Sequence, residues 1–162
     1  MHRTIETGSR WMFTVLVVAL ATLASCNNNR VYESYISVPE KGWNKDSVMV
    51  FTFEVERLDQ SYDLAINIRN KVDYPNSNLW LFLEIESPSG KMESGKIECI
   101  LAASDGKWLG KGWGSLYFVR VPFKQQVRFA ETGTYRFRIR QGMRADVLKG
   151  IYSVGLRMDK VN

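Results

Sequence analysis

From Val48 onward the chain alternates apolar and polar residues with a period of two, and little else in it is as restrictive. Successive side chains of a strand point to opposite faces, so such alternation means a strand buried on one side. Met49, Phe51, Phe53 and Val55 share one face, with Thr52, Glu54 and Glu56 opposite. Tyr62, Leu64, Ile66 and Ile68 repeat the pattern against Asp63, Asn67 and Arg69. Leu79, Leu81, Leu83 and Ile85 follow against Glu84 and Glu86, but Trp80 and Phe82 make that strand apolar on both sides. A second sheet or a covering loop is expected over them. Ile97, Cys99 and Leu101 form the next face, then Tyr117, Val119 and Val121, and then Val127 and Phe129. Tyr135, Phe137 and Ile139, and finally Tyr152, Val154, Leu156 and Met158, complete the set. Pro88-Ser89-Gly90-Lys91 and Thr132-Gly133 mark turns between strands. No window of about 11 residues or more carries a helical period, and Gly142–Lys149 offers one turn at most. About eight short strands with polar turns predict an all-β fold, a single antiparallel β-sandwich of jelly-roll or Ig-like kind over residues 48–162.

Ahead of the strands lies a different kind of segment. Arg3 and Arg10 precede an apolar run from Trp11 to Ala24, which ends in Leu23-Ala24-Ser25-Cys26. A positive start, a short apolar middle and small residues at the end read as a secretory signal peptide. The run falls short of the ~20 residues that a membrane-spanning helix needs. Leu-Ala-Ser-Cys resembles the bacterial lipobox, in which the cysteine is lipidated and becomes the new N-terminus. A thiol suits that step because its deprotonated form is strongly nucleophilic near neutral pH. Residues 1–25 are therefore expected to be removed, and residues 26–47 to form a lipidated tether and lead-in. The expected location is the cell envelope, on a membrane-anchored lipoprotein facing the periplasm.

That compartment bears on the remaining composition. Losing Arg3, Arg10 and Glu6 lowers the formal net charge of +5 by one, a mild surplus that argues for no nucleic-acid partner. With Cys26 acylated, Cys99 is the only thiol left, so no intrachain disulfide is expected. Its place between Ile97 and Leu101 reads as a small buried hydrophobe. The only histidine is His2, inside the discarded segment. The mature chain thus lacks imidazole bases, histidine metal ligands and histidine triads, and is expected to be non-enzymatic. No metal and no cofactor are expected beyond the covalent lipid on Cys26.

Three stretches stand out as candidate sites. Ser104–Gly114 is dense in glycine and carries Asp105, Lys107, Trp108, Lys111 and Trp113. A phosphate-binding loop is excluded by spacing, since three residues rather than four separate Gly106 from Gly110 and Lys111 precedes glycine. Trp108 or Trp113 suits a partner protein or a sugar ring, whereas packing both over the open end of the sandwich is the structural alternative. Arg69–Asn78 joins two strong strands and carries Arg69, Asn70, Asp73, Tyr74 and Asn78, either as turn chemistry or as a recognition surface. Gly42–Ser47 reads as a packed turn. Arg136, Arg138 and Arg140 alternate on one strand face and are expected to pair with carboxylates such as Glu84 and Glu86 on neighbouring strands.

Taken in order, Gly42-Trp43-Asn44-Lys45-Asp46-Ser47, Asn67-Ile68-Arg69-Asn70 with Asp73-Tyr74, Ser77-Asn78-Leu79, Asp105–Gly112 and Leu148-Lys149-Gly150-Ile151 form a set. With the lipobox, this set resembles the GldH family of gliding-motility lipoproteins of the Bacteroidetes. The resemblance implies an envelope lipoprotein needed for surface gliding and linked to the type IX secretion apparatus, with no catalytic residues to carry over. The expected partners are the membrane, through the N-terminal lipid, and other envelope proteins of the gliding or secretion machinery. A glycan-binding β-sandwich module is the alternative function. Replacing Cys26 with serine is expected to leave the domain folded but unattached, read by membrane fractionation. Retention of that variant in the membrane pellet after a high-salt wash contradicts the anchor.

Overall fold

The structure is a computed structural model that describes residues 29–161, so the lipobox and Cys26 lie outside the described residues. In chain order the strands are β1 (Arg30–Ser37), β2 (Trp43–Asn44), β3 (Met49–Val55), β4 (Tyr62–Lys71), β5 (Asn78–Glu86) and β6 (Met92–Ile100). They continue as β7 (Lys111–Trp113), β8 (Leu116–Val127), β9 (Gly133–Gln141), β10 (Val147–Leu148) and β11 (Ile151–Lys160). One sheet has the order β1-β11-β4-β8-β7 and the other β3-β9-β5-β6, while β10 and β2 form a two-stranded ribbon. Every pairing is antiparallel. The expected all-β sandwich is what the chain forms.

The alternating faces explain the layering. Phe51, Leu79, Leu81, Phe137 and Ile139 project from one sheet, and Leu64, Ile66, Ile68, Leu156 and Met158 from the other, into one buried cluster. Phe123 stacks on Phe137 across the layers, with ring centroids 5.4 Å apart. Phe53, Tyr62, Phe129 and Tyr135 close one end of the sandwich through tilted, edge-on and stacked aromatic contacts. Cys99 is fully buried in the core, and burial pushes its thiol up to about 12.

Three features depart from the sequence reading. First, the stretch read as tether and lead-in supplies two strands. β1 pairs along β11 from Arg30 to Ser37, and β2 pairs with β10, so the sheet begins well before residue 48. β1 lacks clear alternation because both its faces are half-buried: Tyr32 and Ile36 meet the core, and Glu33 and Tyr35 lie under polar side chains. Second, the strand expected at 117–121 runs on to Val127 as β8, pairing with β4 through two register shifts, and Phe129, expected in a strand of its own, lies beyond its end. Gln126 takes up part of that bend at φ 52°, and its N–H donates to Asp63 Oδ1 at 2.8 Å. Third, the cover expected over β5 is partial. Gly142 N–H donates to the Trp80 carbonyl at 2.7 Å and Lys96 lies over the indole, yet Phe82 remains 48% exposed.

Candidate functional site

The two polar stretches flagged in the sequence meet at one end of the sandwich. Lys71 N–H donates to Gly150 O at 2.7 Å and Val72 N–H to Ser115 O at 3.0 Å, tying the end of β4 to the β7–β8 turn and to the turn before β11. Leu101 N–H donates to Ser77 O at 2.8 Å, and Leu109 N–H to Leu101 O at 2.9 Å. Residues 69–78, 101–118 and 148–151 thus form one cluster of loops held by backbone hydrogen bonds.

Aromatic side chains fill its centre. Trp108 lies 6.4 Å from Tyr74 and 5.7 Å from Tyr117, centroid to centroid. Tyr74 is buried and donates its hydroxyl to the Asn78 carbonyl at 2.8 Å. Burial raises its phenol from the ordinary 10.0 to about 12. Trp108 is half-buried and packs against the core. Gly150 is required here for two reasons. Its φ is +85°, and a Cβ would stand 2.6 Å from the Tyr74 Cα. Gly110 serves close approach instead, since a Cβ there would meet the Phe118 carbonyl oxygen at 2.5 Å. Gly106 and Gly114 take positive φ at the turns, so the glycines of this loop serve turns and close approach.

The individual candidates divide by exposure. Asn70 is fully buried at the end of β4, and its Nδ2 donates to the Lys71 carbonyl at 3.1 Å. Its Oδ1 has no partner among the described residues. Asn78 opens β5 with its Nδ2 on Glu98 Oε1. Asp105 Oδ1 accepts the Lys107 N–H at 3.0 Å and shapes the turn. Trp113 ends β7, its backbone paired with Leu116. These are framework roles. Asp73, Lys107 and Lys111 are exposed on that framework, beside Val72 at 56% and Leu109 at 57% exposure. Val72 and Leu109 were not singled out by the sequence reading, because an isolated apolar residue in a polar loop gives no periodic signal.

Arg69 faces a second polar centre on the outer side of the five-stranded sheet. Its guanidinium lies 4.2 Å over the Tyr35 ring. The Tyr35 hydroxyl donates to Glu33 Oε1 at 2.9 Å, and Asn67 Nδ2 donates to both. Arg120 Nε reaches Asn67 Oδ1 at 3.1 Å, and Arg157 spans Glu33 and a bidentate contact with Asp159. Burial pushes the Glu33 carboxyl up, but hydrogen bonds from Arg30 and Tyr35 and the Arg157 charge outweigh it, leaving the group below its ordinary value. Sequence reading placed Asn67 on a solvent face; it is fully buried beneath this network. The only hint was its setting, a single amide between Ile66 and Ile68.

On the other sheet the arginine row pairs as expected. Arg138 meets Glu86 at 2.6 Å, Arg136 the same carboxylate at 3.5 Å, and Arg140 meets Glu84 at 3.0 Å. Two clefts flank Met143 at the rim, one of about 360 Å³ beside Phe82 and Lys45 and one of about 640 Å³ beside Trp80, Arg144 and Lys149.

Comparison with known proteins adds a family. Residues 30–158 match the family model described as GldH lipoprotein. A "Gliding motility lipoprotein GldH homolog" from Christiangramia forsetii is 39% identical over 90% of this chain and 93% of its own length. "Gliding motility lipoprotein GldH" from Flavobacterium johnsoniae is 33% identical over 90% of this chain and 94% of its own. Among solved structures, the insecticidal δ-endotoxin Cry8Ea1 of Bacillus thuringiensis aligns with a TM-score of 0.42 at 15% identity, covering 75% of this chain and 19% of that one.

The raised Tyr74 and Cys99 groups give a pH dependence with a definite sign. The unfolded chain loses these protons near the ordinary values of 10.0 and 9.0, whereas the folded chain holds them to about 12. Their contribution to stability is therefore complete below about pH 9 and is lost as pH rises from there toward about 12. Urea midpoints measured across that range are expected to fall, and Tyr74→Phe is expected to make the fall shallower.

Proposed function

The chain belongs to the GldH lipoprotein family, and on that premise we propose that it is a non-enzymatic, lipid-anchored adaptor of the gliding and type IX secretion machinery. Its action is protein contact made by the clustered end loops, and its only covalent accessory is the lipid on Cys26. It faces the periplasm.

One geometric observation carries this reading. Asn29 O accepts the Lys160 N–H at 2.6 Å beside the first residues of β4, so the N-terminal segment leaves at the end closed by Tyr62 and Phe129. The loop cluster sits at the other end of β4, ten residues away, which is about 30 Å at ~3.3 Å per residue. A lipid on Cys26 therefore leaves Val72, Asp73, Lys107, Leu109 and Lys111 clear of the anchor. Exposed apolar side chains with charged neighbours along the chain, on loops fixed by hydrogen bonds and an aromatic centre, are suited to a specific protein interface. Because the loops are already ordered, binding loses little conformational entropy there.

The double variant Val72→Asp/Leu109→Asp tests the proposal in a gliding host. Colony spreading and co-purification of envelope partners are expected to fall at least tenfold, while the thermal midpoint of the purified domain stays within a few degrees of wild type. Normal spreading with this variant at wild-type levels would remove the loop cluster from the function.

A further inference from the structure

Of the four strands that end the two large sheets, β6 is the longest: nine residues, against eight in β1, seven in β3 and three in β7. It pairs with β5 from Met92 to Ile100 without a register shift, whereas β1 is irregular between Arg30 and Tyr32. It contains no proline. Its protection is charge: Glu93, paired with Lys124 of β8 at 3.2 Å, Lys96 and Glu98, so a strand that adds here has to match those charges.

Hydrogen-bond parity shows which groups are free. Ser87 N–H donates to Lys91 O at one end of the β5–β6 pair, and Leu101 N–H to Ser77 O at the other. Antiparallel pairing alternates strictly, so the odd-numbered residues of β6 bond to β5. Met92, Ser94, Lys96, Glu98 and Ile100 turn their N–H and C=O groups outward, and all five residues are exposed. Such an edge accepts a further strand by backbone hydrogen bonding.

We propose that the strand it accepts is β6 of a second copy of this chain, antiparallel about a two-fold axis at Ile97. A two-fold perpendicular to the sheet keeps core-facing residues on one side, so residues of equal parity oppose each other. With the axis at Lys96, lysine would face lysine. With the axis at Gly95, Lys96 would face Ser94 and Glu98 would face Met92. Only the axis at Ile97 sets Lys96 opposite the partner subunit's Glu98, and symmetry repeats that pair. Both side chains already project from the outer face, Lys96 lying over Trp80 and Glu98 accepting from Asn78. The half-buried Ile97 then meets its own copy where the core reaches the edge. The axis also leaves both five-stranded sheets, and hence both β1 strands, on one side of the pair. Because the axis reverses strand direction, the two N-terminal segments leave at opposite ends of that side.

Oxidative crosslinking of the full-length lipidated protein in its native envelope tests this. Opposed Ile97 residues form a non-hydrogen-bonded pair with Cα atoms ~4.5 Å apart, a separation that a disulfide spans. Ile97→Cys is expected to give a reducible homodimer, and Met92→Cys none. Adding either Lys96→Glu or Glu98→Lys to Ile97→Cys is expected to cut the dimer at least tenfold, and adding both to restore it. Restoration separates loss of pairing from loss of fold. No homodimer at Ile97→Cys, equal crosslinking at both positions, failure of the double swap to restore, or a crosslink to a different protein would each overturn the proposal.

Discussion

Two apolar sheet faces that must cover one another set the terms for this molecule. Each fully buried Leu, Ile or Phe contributes about 1.5–3 kcal/mol relative to exposure, against the entropy lost in ordering the chain. Phe51, Leu79, Leu81, Phe137 and Ile139 supply that face in one sheet, and Leu64, Ile66, Ile68, Leu156 and Met158 in the other. Neither sheet has a buried face without its counterpart. Loop positions, rim aromatics and edge strands all follow from that pairing.

The two ends of the sandwich then divide the work. Phe53, Tyr62, Phe129 and Tyr135 close the end where the N-terminal segment departs. Tyr74, Trp108 and Tyr117 fill the other, and backbone bonds from Lys71, Val72 and Leu109 fix the loops around them. Aromatic packing at the second end makes a shaped surface, with the cleft of about 640 Å³ opening beside Pro75, Asn76 and Lys149. The half-buried Glu33–Tyr35–Asn67 network, crossed by Arg120 and Arg157, has a different part: it holds the N-terminal strand onto β11 and β4.

Much of this was legible in the sequence, where one chemical signal acted alone. β3 alternates without exception because one of its faces is core and the other water, and the structure buries Met49, Phe51, Phe53 and Val55 as the pattern demands. β1 was not legible as a strand because its outer face is covered by arginines from β8 and β11, distant in sequence, which erases the polar half of the alternation. Asn67 misled for the same reason. The candidate site was legible as two stretches, and its assembly was not: nothing local says that Trp108 packs beside Tyr74 rather than facing solvent. Val72 and Leu109 became visible only when the backbone around them proved to be fixed.

The end loops work as a preformed surface only if they are held in the free domain. Amide hydrogen exchange of the folded domain reads this most directly at Lys71, Val72 and Leu109, whose N–H groups bond to Gly150, Ser115 and Leu101. Protection at these three amides is expected to be comparable to that of the neighbouring β4 residues. Exchange at the rate of an unstructured chain would mean that the loops are not held, and would contradict a preformed surface.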